Sequence, residues 1–331
     1  MISSHPFIAI LACAVLIFSA CGENKRKDRE SAEPEVKLPP LPVFNADSAY
    51  SFVKTQCDFG PRVPNTKAHV DCGDYLIRKM NEWCDTVYVQ SGVVTAFDKT
   101  KLNFRNIIGS INPDNQRRIL FFAHWDTRPW ADQDSINTDK PFPGANDGAS
   151  GVAVLMEIAR QLKLRNPSVG IDFAFFDVED WGKSGGGAEA EDSYSLGTQY
   201  WIRNLHVPGY SAQYGILLDM VGAKNAQFRK EGLSRSAANF VIDKVWKTAN
   251  HLGYGSYFLY EDAGWVTDDH VYVNKINIPS IDIIQSDPGT KSGFFPQWHT
   301  HSDNMDVIDR NTLHAVGQTL LGVIFWEEYA L

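Results

Sequence analysis

Four apolar runs of strand length, each closed or trailed by carboxylates and histidines, constrain this chain more than any other feature. RRILFFAHWD ends on His124 and Asp126, IDFAFFDVED on Glu179 and Asp180, and YGILLD on Asp219, while IPSIDII runs on toward WHTH with His299 and His301. A further acid, Asp147, sits in the turn GANDGASG just before an apolar helical segment. Continuous apolar runs of this length read as strands covered on both faces. In an open α/β sheet the ligand crevice lies beyond the carboxyl ends of the strands, so polar clusters recurring where strands end point at one shared pocket.

The intervening segments fit that frame. Helical spacing occurs near Ala46 to Lys54, Thr66 to Trp83, across ASGVAVLMEIARQLKL, around Thr198 to Asn204, from about Arg235 to Leu252, and again from Arg310, where Asp309 can cap the first turn. DTVYVQ and NFRNIIGSI add two strands. Strands alternating with helices imply an α/β fold of three layers, α/β/α, around a central mixed and mostly parallel sheet. With 331 residues, 44% of them apolar, the chain can bury a large single core.

Residues 1–20 read as a lipoprotein signal peptide. The stretch from Pro6 to Ala20 is apolar or small and too short to span a bilayer, and it ends at Ala20-Cys21 before the polar run GENKRKDRE. Small residue then cysteine resembles a bacterial lipobox, which implies a lipid anchor on Cys21; an ordinary cleaved secretory signal is the alternative. The segment 21–42, with PEVKLPPLP, reads as a flexible tether and 43–331 as the catalytic domain. The expected location is thus the bacterial cell envelope, membrane-anchored in the periplasm. Cys57, Cys72 and Cys84 remain in the domain, an odd number that permits at most one internal disulfide and does not choose the pair. No CxxC spacing marks them as zinc ligands. A formal net charge of -9 supplies no basic field for phosphates, so nucleic acid is excluded as an expected partner.

Any one of these acids alone suits a turn or a helix cap. Together, several carboxylates and a histidine at successive strand ends would repel unless a cation or protons compensated them. Asp147, Asp180 and His299 can supply three zinc ligands and leave a fourth position open, as catalytic zinc requires. Adjacent side chains in an extended or turning segment point different ways, so Glu179 can face a substrate as general base while Asp180 holds the metal. His301 lies two residues from His299 and competes for the ligand role; spacing does not decide between them.

AHWDTRP, GANDGASGVAVLMEIAR, FFDVED, LLDMVGA, VTDDH and FPQWHTHSDN together resemble the animal-type glutaminyl cyclases found in bacteria, which share the fold of zinc-dependent aminopeptidases. The resemblance runs from about residue 43 to 331. It implies one zinc per chain on Asp147, Asp180 and His299, Glu179 as the proton-transferring base, and Asp219 and Asp268 in a supporting acidic hydrogen-bond network. It further implies peptides and proteins with an N-terminal glutamine as substrates, converted to pyroglutamate with release of ammonia. Trp298, and Phe294 or Phe295, would line the pocket. Asp180 stands where the animal enzymes have glutamate, and the loop after it differs, which leaves Trp181 as the candidate for a pocket tryptophan, with Trp130 and Trp265 beside it. The rival reading is a two-zinc aminopeptidase of the same superfamily, for which His124, Asp147 and Asp219 would hold the second ion.

Overall fold

The computed structural model describes residues 37–165 and 167–329. The expected signal segment, Cys21 and most of the expected tether lie outside them. In chain order the elements are α1 (Ala46–Asp58), α2 (Lys67–Trp83), β1 (Thr86–Thr95), β2 (Lys101–Ile111), β3 (Arg118–His124), α3 (Ala149–Leu162) and β4 (Gly170–Phe176). They continue with α4 (Ala188–Glu191), α5 (Leu196–Arg203), β5 (Tyr214–Asp219), β6 (Phe228–Lys230), α6 (Gly232–His251), β7 (Phe258–Asp262), α7 (Asp269–Asn274), β8 (Ser280–Ile284) and α8 (Arg310–Phe325).

Six strands form one mixed sheet in the order β1-β2-β4-β3-β5-β8. The four strands β4, β3, β5 and β8 pair in parallel, and β2 joins β4 and β1 antiparallel. Alternation along β3 divides the core. Ile119, Phe121 and Ala123 join the larger cluster with residues of α1, α2, α3, α6 and α8, whereas Leu120 and Phe122 face Trp201 of α5 and Val273 of α7. Three layers follow directly from strands apolar on both faces. Helix α3 lies close against the sheet because Gly151 has no side chain; a Cβ there would strike the carbonyl oxygen of Leu218.

Two features depart from expectation. β6 and β7 form a separate parallel ribbon, too short and, in FLYED, too polar to show a strand period. The chain is already docked before residue 43: the Trp326 Nε1 donates to the Pro39 carbonyl at 2.9 Å and Gln318 Nε2 to that of Pro42 at 3.0 Å. The compact unit begins at Leu38, so the expected tether is shortened at its C-terminal end. Asp309 caps α8 as read, accepting from the Asn311 amide at 3.2 Å. Cys57, Cys72 and Cys84 are all free thiols.

Candidate metal centre and active site

Because β4, β3 and β5 are parallel neighbours, their carboxyl ends deliver His124, the Glu179–Asp180 pair and Asp219 to one place. Asp147 arrives on the turn before α3 and His299 on the loop after β8. The chain must reverse sharply as each strand stops. Val178, Met220 and His299 adopt positive φ of 54°, 50° and 55°, a region that costs a β-branched valine most.

Buried carboxylates hold these turns. Asp126 accepts from the amides of Glu179 (3.0 Å) and Asp180 (3.2 Å), so the catalytic pair is fixed through its backbone. Asp303 does the same for Asn146 (2.8 Å) and Asp147 (3.1 Å). Burial, with Asp147 beside it, pushes Asp303 up to about 8. Asp132 lies 2.8 Å from His299 Nδ1 and takes two donors from the buried Arg128 guanidinium. Burial works against its charge, but His299 and Arg128 hold the Asp132 carboxyl well below its usual range. Arg128 also donates to Asp180, at 3.1 Å to the carbonyl and 3.3 Å to Oδ1. Asp126, Asp132, Asp303 and Arg128 were not assigned these roles from sequence; only the placement of Asp126, Arg128 and Asp303 inside the motif segments hinted at them.

Two groups of side chains are close enough to share a cation, Asp147 with Asp180 and His299, and His124 with Asp147 and Asp219. His299 Nε2 is 3.5 Å from Asp180 Oδ1 and 3.7 Å from Asp147 Oδ2. Asp180 Oδ2 is buried and has no hydrogen-bond partner, an orphaned acceptor that a cation would satisfy. With Nδ1 bound to a carboxylate, the imidazole presents Nε2 to the site, the arrangement that orients metal-binding histidines. The donor set of two carboxylates and one imidazole suits zinc. His301 is turned elsewhere: its amide and Nδ1 both lie 2.9 Å from Asp134 Oδ2.

In the second group His124 Nε2 lies 3.1 Å from Asp147 Oδ1 and 3.3 Å from Asp219 Oδ1. Burial opposes protonation of His124, yet the neighbouring carboxylates of Asp126, Asp147 and Asp219 raise it well above its ordinary value. Burial raises Asp219 to about 6. Glu179 is buried and raised well above a usual glutamate, first by desolvation and then by the Asp268 carboxylate. Glu179, Asp219 and Asp268 border one cavity. Asp268 caps α7, and burial with Asp219 nearby raises it well above the ordinary range.

A cavity of about 280 Å³ opens over these groups, walled by Glu179, Asp219, Asp268, Phe294, Trp298 and Trp265. Trp298 stacks on His299 at 3.8 Å. Of the two phenylalanines, Phe294 lines the cavity, whereas Phe295 is buried beneath it against Met220 and Ile284. Trp181 corrects the sequence expectation. It packs toward Phe104 and Val178 and against Trp130, its Nε1 3.3 Å from Asp98 Oδ2, and does not line the cavity. Glu179 and Asp180 line the cavity, and the residue after them does not. Gly185, Gly186 and Tyr194 of the following loop border the cavity instead.

Residues 106–324 match the model of peptidase family M28. The structure superimposes on a glutaminyl cyclase of Bacteroides thetaiotaomicron with a TM-score of 0.84 at 53% identity, over 86% of this chain and 99% of that one. The glutaminyl-peptide cyclotransferase of Drosophila melanogaster is 27% identical over 76% of this chain and 73% of its own length. Aminopeptidase YwaD of Bacillus subtilis is 26% identical over 68% of this chain, and the matched part spans 45% of that enzyme. The chain belongs to peptidase family M28 and, within it, to the glutaminyl cyclases.

Proposed function

We propose that this protein is a glutaminyl-peptide cyclotransferase with one zinc per chain, converting the N-terminal glutamine of peptides and proteins to pyroglutamate with release of ammonia. The observation that carries the reading is the division of labour at one turn: Asp180 lies among the ligands while Glu179, the residue before it, faces the same cavity without joining either ligand group. Similarity to cyclases across nearly the whole of a solved chain supports it.

Zinc held by Asp147, Asp180 and His299 would supply Lewis-acid polarisation of the glutamine side-chain carbonyl. The rest falls to the chain itself. The half-buried faces of Trp298 and Phe294 take the substrate's methylene groups and exclude water. Glu179, raised by burial, accepts a proton from the α-amine as the amine nitrogen bonds to the side-chain carbonyl carbon. It then returns that proton to the departing amide nitrogen, the C–N bond breaks, and ammonia leaves. Nucleophile and electrophile belong to one residue, so ring closure needs no activated water and little ordering entropy. The Asp268 carboxylate adds to the rise of Glu179, and Asp219 in turn raises Asp268.

A two-zinc aminopeptidase is the second reading, favoured by the grouping of His124 with Asp147 and Asp219. Against it stands the similarity to a glutaminyl cyclase over nearly the whole of that solved chain. Metal content per chain and ammonia release from a glutamine-headed peptide separate the two.

The lipobox-like Ala20-Cys21 supports placement as an acylated lipoprotein of the cell envelope, held to the membrane through Cys21. Replacement of Cys21 by alanine then releases the enzyme from the membrane fraction; retention there, or a native unmodified N-terminus past Cys21, contradicts the anchor.

A further inference from the structure

Trp265 is both a wall of the cavity and, among the described residues, the most exposed of the large aromatic side chains, with 69% of its surface accessible. A group with both properties stands at the mouth. The cavity, at about 280 Å³, is at the small end for a ligand site and takes one residue rather than a peptide. Whatever follows that residue must leave through the mouth.

The indole is held in place although it is exposed. Its ring lies on Gly232, the first residue of α6, where even a Cβ would come within 2.9 Å of it. Two hydrogen bonds pin the backbone on either side: the Gly232 amide donates to the Gly264 carbonyl at 2.9 Å, and the Val266 amide to Glu231 Oε1 at 2.9 Å. Glu231 is itself buried, and its carboxylate also caps α6 through the amides of Leu233 and Ser234. An aromatic face presented by a fixed backbone loses little entropy on binding.

We propose that Trp265 is a specificity-determining residue whose face receives the side chain of the second residue of the substrate, favouring aromatic and large apolar side chains there. The inference rests on the cyclotransferase reading. The carboxylates of Glu231 and Asp268 that flank Trp265 serve the loop and the cavity and are not needed for this contact; the indole is.

Steady-state ammonia release from two peptides that differ only at the second position, glutamine-phenylalanine and glutamine-glycine, tests it. The native enzyme is expected to favour the phenylalanine peptide in kcat/KM by about tenfold, chiefly through KM, the scale of one aromatic contact. In Trp265→Ala the preference falls toward one, and Trp265→Tyr restores a part of it. Gly232→Ala, which moves the ring without removing it, lowers the preference as well. Equal preference in native and Trp265→Ala enzyme, with ammonia still released, overturns the role of Trp265 and leaves the cyclotransferase reading intact. Absence of ammonia from both peptides overturns both together.

Discussion

Asp132 Oδ1 lies 2.8 Å from His299 Nδ1, and the same carboxylate is gripped by the buried guanidinium of Arg128. Arg128 meanwhile donates to Asp180. One arginine thereby steadies two of the three candidate ligands, one directly and the other through Asp132. Removing that support should loosen the metal without touching a ligand. Asp132→Asn is expected to weaken zinc affinity by about 10- to 100-fold, measured by competition with a chelator. Arg128→Lys should act in the same direction, since a point charge cannot replace the forked contact. Unchanged affinity in both variants would show that Asp147, Asp180 and His299 need no such positioning.

Base and ligand are separable. Glu179→Gln should retain zinc and lose turnover by ~10²-fold or more. His299→Ala should lose both, because one of three protein ligands is gone. Metal analysis beside kcat distinguishes them, and zinc-free Glu179→Gln protein would mean that the roles of Glu179 and Asp180 are exchanged.

The pH response of stability has a contribution far from the centre. His206 Nδ1 accepts from the Trp201 indole at 3.1 Å, and burial lowers this histidine to about 4. The unfolded chain therefore takes up the proton first as pH falls. The stability that neutral His206 provides is present above pH 6.5 and is lost as pH drops from there through about 4. His206→Asn should cost more at pH 7.5 than at pH 5, by on the order of 1 kcal/mol in urea unfolding. An equal cost at both values would contradict a buried neutral imidazole.

Close approach of α3 to the sheet gives a further check. Gly151→Ala drives a methyl group into the Leu218 carbonyl, and overpacking of this kind costs about 1–3 kcal/mol. Since α3 follows Asp147 and β5 ends on Asp219, the variant should lose activity along with thermal stability. A neutral result would show that the helix can shift at little cost.

The large elements were legible because the physics behind them is local. Apolar runs such as RRILFF and YGILLD could only be buried strands, and their acidic ends marked the crevice. Helix α3 was readable from its glycine-rich entry and continuous apolar pattern. Legibility failed where a role depends on tertiary placement. Trp181 follows Asp180 in sequence yet lies outside the cavity, whereas Trp265, a further candidate the sequence offered, lines it. Asp132 and Arg128 lie in a loop without periodicity, and nothing in their spacing reveals that they meet His299 and Asp180. The choice between His299 and His301, left open by spacing, rests on partners: Asp132 orients one toward the site and Asp134 holds the other away.

The central claim is that the chain closes a ring on its substrate and leaves the peptide intact. Product mass is the most direct measurement, taken after incubating the zinc-loaded enzyme with a glutamine-headed peptide and, in parallel, a leucine-headed one. The account predicts a loss of about 17 mass units, one ammonia, from the first and no change in the second, which lacks a tethered electrophile. Release of free leucine at a rate comparable to ammonia release, with two zinc ions per chain, would contradict it and assign the site to an aminopeptidase.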